Sequence, residues 1–394
     1  MRCKNQLLIT ALEFFLGLMS YLPMQIVPLF VPPKRLLMGP GPSDVATSVL
    51  TAMSQPLIGH LDPEFVRMME EIKVMLREVM QTKNEMTFPV SGTGSAGMEF
   101  CLANLVEPGD EVIIGVNGVF GTRMCDVAER CGAKVIRVES TWGTIITPEQ
   151  LAAALKTCRP KIVAIVHAET STGALTPVEE ISRLAHEAGA LFLLDAVTSL
   201  AGCPVLIDEW KVDAVYSGTQ KCLSCPPGLS PVSLSPRAME VARNRKKKVQ
   251  SWYLDVNLLS SYWGQERVYH HTAPITNNYG LHEGLRLVLN EGLEARWKRH
   301  EENHLLLKRA LAEMGLKIVS QEGHQLWQLN AVGVPEGVDE AGVRKKLLTD
   351  YNIEIGAGLG PLKGKIWRIG LMGATSTVQN VHTVIKAMRE ILGK

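Results

Sequence analysis

From about residue 85 the chain repeats one pattern: a short apolar run, a polar turn, then apolar residues at helical spacing. The runs at 86–90, 111–116, 134–138, 161–166, 190–194 and 213–216 predict strands, and 148–155 and 178–188 predict helices between them. Runs this continuous are buried on both faces. Alternating with helices, they predict an α/β fold with a mostly parallel sheet. Ligands of such sheets sit outside the carboxyl ends of the strands, so the loops there carry the functional weight.

After about residue 280 the pattern changes. Two long helical stretches, 281–290 and 293–314, precede short strands alternating with helices, which predicts a smaller α+β domain. The expected organisation is an N-terminal apolar extension or arm over 1–40, a large domain over 41–280 and a small domain over 281–394. Within the extension, Arg2 and Lys4 precede an apolar run at 7–19 that contains Glu13 and is followed by Pro23. That is shorter than the roughly 20 apolar residues of a membrane span. An arm packed on a partner subunit, or an upstream extension, is the expectation. A targeting or anchor segment is the alternative to a cytoplasmic protein.

Composition adds exclusions. The chain of 394 residues is 46% hydrophobic and 21% charged with net charge +1, which fits a globular protein and gives no reason to expect nucleic acid. The basic run at 243–248 has no aromatic residues interleaved and reads as a solvated helix end. Eight scattered cysteines are not a disulfide framework, and Cys222 and Cys225 have no second pair to complete a metal site. No metal is expected. The neighbours His270 and His271 should point in different directions.

Four features carry candidate chemistry. Ser91-Gly-Thr-Gly-Ser-Ala-Gly97 follows a predicted strand and opens a helix, so its backbone N–H groups and the hydroxyls of Thr93 and Ser95 suit an anion. It lacks the Gly-Lys-Ser/Thr ending of a nucleotide loop. Asp195 ends an apolar strand, where an acid is costly unless paired. It is either a structural cap or a carboxylate for a pyridinium nitrogen, with Ser199 one helical turn on to steady it. Lys221, after Ser217-Gly-Thr-Gln, is either a loop lysine or an amine placed to condense with an aldehyde. Arg368, between apolar residues on a predicted strand, needs an anion, either an internal carboxylate or that of a substrate.

The ordered set Met38-Gly-Pro-Gly-Pro-Ser43, Ser91-Gly-Thr-Gly94, His167-Ala-Glu-Thr-Ser-Thr-Gly173, Asp195-Ala-Val-Thr-Ser199, Ser217-Gly-Thr-Gln-Lys221, Tyr269-His-His-Thr272 and Arg368-Ile-Gly370 resembles the class V aminotransferases. Within them it is most similar to the alanine–glyoxylate and serine–pyruvate group, which includes 3-hydroxykynurenine transaminases. The resemblance runs from about residue 32 to the C-terminus. It implies the pyridoxal-phosphate transferase fold type I, with a seven-stranded sheet in the large domain. It implies a homodimer with shared active sites and ping-pong transamination between a small amino acid and a 2-oxo acid. By the same resemblance Lys221 forms the internal aldimine and Asp195 pairs with the pyridine nitrogen. Thr93, Gly94, Ser95 and Gln220 hold the phosphate, and Thr170 lies near the ring hydroxyl. Tyr269 and Thr272 reach the neighbouring subunit's cofactor, and Arg368 binds the substrate carboxylate. One departure is Asn117-Gly-Val-Phe120, where the family often has tryptophan stacked on the ring. Phe120 offers a smaller face and no indole N–H.

Two other readings compete. A desulfurase on this scaffold needs a cysteine in the small domain, and none follows Cys225. A non-catalytic binding protein would have no use for Lys221, Asp195 and Arg368 together.

Overall fold

The apolar runs form one seven-stranded sheet in the computed structural model, which describes residues 28–394. The extension's apolar run at 7–19 lies outside the described residues. The chain divides after Lys34, and Arg35–Lys394 is one compact unit. In chain order the strands are β1 (Met86–Ser91), β2 (Glu111–Val116), β3 (Lys134–Glu139), β4 (Ile162–Val166), β5 (Leu191–Asp195), β6 (Ala214–Tyr216) and β7 (Leu229–Leu234). Their order across the sheet is β1-β7-β6-β5-β4-β2-β3. Strands β2 to β6 run parallel, and β7 is antiparallel to both its neighbours.

Side chains alternate across a strand, and that alternation separates two cores. Ile114, Ala164 and Leu193 pack into one apolar cluster, and Ile113, Val163 and Phe192 into another. This double burial is why the strands read as unbroken apolar runs. Strand β7 is equally buried but does not read as one, because its sequence Leu-Ser-Pro-Val-Ser-Leu contains a proline and two serines. Pro231 stands opposite Pro89, and its ladder with β6 starts only at Val232. A residue without an N–H is tolerated there. Ser230 and Ser233 are buried but bonded, Ser230 Oγ donating to Ser217 O at 2.6 Å.

Two helices leave the sheet beside the site: α1 (Gly94–Leu105) after β1, and α2 (Val119–Arg130) after β2. Further on, α3 (Ile275–Glu291) and α4 (Leu293–Glu313) are separated at Gly292, whose φ of +82° ends one helix and starts the next. A three-stranded antiparallel sheet follows, from β8 (Leu329–Gly333), β9 (Gly356–Ala357) and β10 (Ile366–Gly370), in the order β8-β10-β9. A third apolar cluster gathers Leu307, Leu347, Trp367 and Ile369. Met38 belongs to it, Leu36–Leu37 pairs in parallel with Ile353–Glu354, and Gly370 N–H donates to Met38 O at 2.7 Å. That anchoring carries residues 40–43 to the loop that follows β6. Among the described residues no helix is long and apolar enough to cross a membrane.

Candidate active site

Asp195 and Lys221 follow from adjacent strands. Asp195 ends β5, in register with Val166 on one side and Tyr216 on the other. Its Oδ2 accepts from the Tyr216 hydroxyl at 2.7 Å and its Oδ1 from Val197 N–H at 2.9 Å. Burial pushes the carboxyl up to about 6, against those two hydrogen bonds. Ser199, expected to steady this carboxylate, does not: it is buried, and its Oγ has no partner. The helical offset of four residues is the wrong geometry, because Asp195 still belongs to a strand. The neighbour that reaches it lies across the sheet.

Lys221 lies five residues beyond β6 and is 8% exposed. Burial lowers its amine to about 8, with Arg368 adding to the effect and Cys222 and Asp195 opposing it. The loop anchored by Met38 holds it from the other side. Ser43 Oγ donates to Lys221 O at 2.7 Å, Ser43 N–H donates to Gln220 O at 3.0 Å, and Lys221 Nζ donates to Pro40 O. Gly41 has φ +99°, and a Cβ there would come within 2.5 Å of Lys221 Nζ, so only glycine lets the loop and the amine meet.

The turn before α1 completes a cavity of about 170 Å³ lined by Thr93, Gly94, Ser95, Phe120, Gln220, Asp195 and Lys221. Thr93 occupies the cap position of α1, yet its side chain makes no cap hydrogen bond. Gln220 Oε1 is buried without a partner. A helix N-terminus whose cap side chain is unused, beside a buried amine, suits an anionic ligand with a carbonyl carbon. A larger cavity of about 750 Å³ lies beside the helix Glu179–Glu187, but it contains neither Lys221 nor Asp195, and its Arg183 is paired with Glu180 and Glu187. Chemistry, not size, selects the smaller one.

Phe120 is half-buried at the start of α2, and a residue unnoticed in the sequence places it. The buried Glu169 carboxylate accepts N–H from Phe120 at 3.1 Å and Gly121 at 3.4 Å. Its other oxygen accepts Ser171 N–H at 3.0 Å and Ser171 Oγ–H at 2.5 Å, while Ser171 Oγ accepts Val119 N–H at 3.0 Å. The first three N–H groups of α2 are thus capped from 48 to 52 residues away in sequence. Burial raises the Glu169 carboxyl and these donors hold it down. The signal in the sequence was an acid just after the apolar run 162–166, with no lysine or arginine close by in the following residues to pair it.

Arg368, on β10, is 7% exposed and has no ion pair among the described residues. Its Nε donates to Ala357 O at 2.7 Å and Nη1 to Thr170 O at 3.2 Å. Burial lowers it to about 10, and Glu169 is the charge that opposes this. The internal carboxylate that would have made it structural is therefore absent from its contacts. Thr170 is buried off the cavity wall, its Oγ1 3.2 Å from Thr198 Oγ1.

Tyr269 and Thr272 are not brought to this cavity within one chain. Both are exposed, and the Tyr269 ring lies 5.3 Å from that of His60. The expectation for His270 and His271 is corrected: their rings meet at right angles with Nδ1 atoms 2.8 Å apart, and His271 Nε2 lies 2.7 Å from Ser91 Oγ. The chain bends at His271, which overrides the divergence of adjacent residues in an extended strand.

A buried amine and a buried carboxylate at neighbouring strand ends, beside a glycine turn that opens a helix, on this strand order, define a fold type I transferase. The chain belongs to the class V aminotransferases, whose family pattern matches residues 38–381, and it is an aminotransferase. It is 41% identical over 378 residues to the (S)-ureidoglycine–glyoxylate transaminase of Bacillus subtilis, covering 91% of each chain. It is 41% identical over 364 residues to the alanine–glyoxylate aminotransferase of Rattus norvegicus, covering 91% of this chain and 88% of the other. The crystal structure of the alanine–glyoxylate aminotransferase from Nostoc sp. superposes with a TM-score of 0.92 at 50% identity, over 94% of this chain and 98% of that one.

Proposed function

We propose that this chain uses pyridoxal 5′-phosphate to move the amino group of a small amino acid, alanine or serine, onto glyoxylate or pyruvate. The reaction is ping-pong: the first keto acid leaves before the second enters. The observation that carries the reading is the convergence of Lys221, Asp195 and the Thr93–Ser95 turn on one cavity.

The residues present fit the cofactor. The open N-terminus of α1 suits a phosphate, the Gln220 side-chain amide can turn its NH2 donors toward it, and Lys221 is the amine for the aldehyde. When bound, the cofactor supplies an electron sink for charge that develops at the substrate Cα. Lys221, with its amine lowered by burial, removes and returns the Cα proton. Asp195, fixed by Tyr216 and Val197, holds a proton on the ring nitrogen. Phe120 walls the cavity and excludes water from one side. Arg368 orients the substrate by its carboxylate, since a guanidinium fork matches that group. Tyr269 and Thr272, exposed in one chain, complete the phosphate site of a second chain in a homodimer.

A donor panel of alanine, serine and 3-hydroxykynurenine against glyoxylate and pyruvate tests the substrates. The proposal expects alanine or serine with glyoxylate to turn over fastest, and no turnover with either would overturn it. Equal identity to the ureidoglycine enzyme makes ureidoglycine the second donor to include. Sedimentation of the full chain tests the homodimer, which a monomer with full activity would exclude.

A further inference from the structure

The cavity has a cation to which no role has been given. Arg123 sits three residues after Phe120 on α2 and lines the same cavity as Thr93, Gly94 and Ser95. Its Nη1 donates to Ser95 Oγ at 3.4 Å, and its guanidinium carbon lies 4.9 Å from the centre of the Phe120 ring. The acids further along α2 are committed elsewhere: Asp126 pairs with Arg130 and Glu129 with Arg137. Arg123 has no ion pair among the described residues.

The charge balance at the turn explains what such a residue is for. A phosphate monoester carries about −1.5 to −2 at neutral pH. The N-terminus of a helix contributes roughly +0.5, and hydroxyl and amide donors satisfy oxygens without adding charge. Lys221 is engaged at the aldehyde end. An anion bonded to Ser95 Oγ lies within reach of the Arg123 guanidinium without any movement of α2. Its forked donors can take two oxygens while its face stays on Phe120.

We propose that Arg123 is a cofactor-binding residue that supplies the positive charge for the phosphate held at Thr93, Gly94 and Ser95. This rests on the reading of that turn as the phosphate cradle.

The test titrates full-length, cofactor-free protein with pyridoxal phosphate and, separately, with pyridoxal, which has no phosphate. Wild type, Arg123→Gln and Arg123→Lys are compared by the absorbance of the bound cofactor. Arg123→Gln should weaken pyridoxal phosphate by roughly ten- to a hundredfold, the scale of one charge-assisted hydrogen bond, and leave pyridoxal unchanged. Arg123→Lys should recover part of the loss. An equal loss for both ligands would make Arg123 a prop for Phe120 and overturn the proposal, as would no loss at all. Wild type that binds the two ligands equally would remove the cradle itself, and the role of Arg123 with it. That result is distinct from a cradle that discriminates normally without Arg123.

Discussion

The backbone N–H of Phe120 donates to the Glu169 carboxylate at 3.1 Å, so the residue that walls the cavity is held by an acid from another loop. Gly118 is the space that makes this possible, because a Cβ there would strike the Glu169 side chain. Replacing Glu169 with alanine leaves the Phe120 and Gly121 N–H groups at the start of α2 uncapped. Glu169→Ala should destabilise the protein by roughly 2–3 kcal/mol, the cost of a lost cap plus unsatisfied N–H groups. It should also weaken the cofactor. Denaturant unfolding with a parallel cofactor titration checks both, and an unchanged midpoint would exclude the capping role.

Asp195 provides a pH signature. Its carboxyl is raised from 3.8 to about 6 by burial, so the fold binds this proton more tightly than the unfolded chain does. The resulting stabilisation is full below 3.8 and is lost as pH rises through about 6. Cofactor-free wild type should therefore lose on the order of 2–3 kcal/mol relative to Asp195→Asn between about pH 4 and 7. Urea midpoints of both proteins across that range measure it. A difference that stays flat with pH contradicts the assignment.

Tyr216→Phe removes the hydroxyl bonded to Asp195 Oδ2 and leaves the Val197 N–H. The Asp195 carboxyl should then rise further, shifting the same stability curve to higher pH. A curve that does not move would mean the Tyr216 hydroxyl is electrostatically idle.

Lys221→Ala should abolish transamination and the near-visible absorbance of the bound cofactor. With the amine lowered to about 8, the rate at which cofactor-free wild type captures pyridoxal phosphate should climb with pH and level off above about 8. Stopped-flow absorbance follows it. An inflection near the ordinary lysine value of 10.5 would show that burial does not tune this amine.

Arg368→Ala should raise KM for carboxylate substrates by roughly ten- to a hundredfold, the worth of a charge-assisted fork. Arg368→Lys should rescue little, because an ammonium cannot keep the bonds to Ala357 O and Thr170 O while reaching a substrate. Steady-state kinetics decide the matter, and an unchanged KM in Arg368→Ala would make the residue structural.

Much of this molecule was local enough to read from its order of residues. The parallel strands showed as apolar runs because each is buried on both faces. Asp195 and Arg368 stood out because charged groups among apolar residues need a partner, and Lys221 because of the ordered motifs around it. The glycine turn before α1 announced itself by composition. Other features depended on neighbours distant in sequence. Strand β7 was hidden by Pro231, whose missing N–H is tolerated only because of what lies opposite it. Tyr216, not Ser199, holds Asp195, since register across the sheet, not spacing along the chain, sets that contact. Glu169 caps α2, and Arg368 finds carbonyls in place of a carboxylate, through the packing of separate loops. Local order of residues was enough to place the doubly buried parallel strands and the candidate charged groups. Which groups touch depended on packing, because burial, pairing and charge balance are properties of neighbours in space.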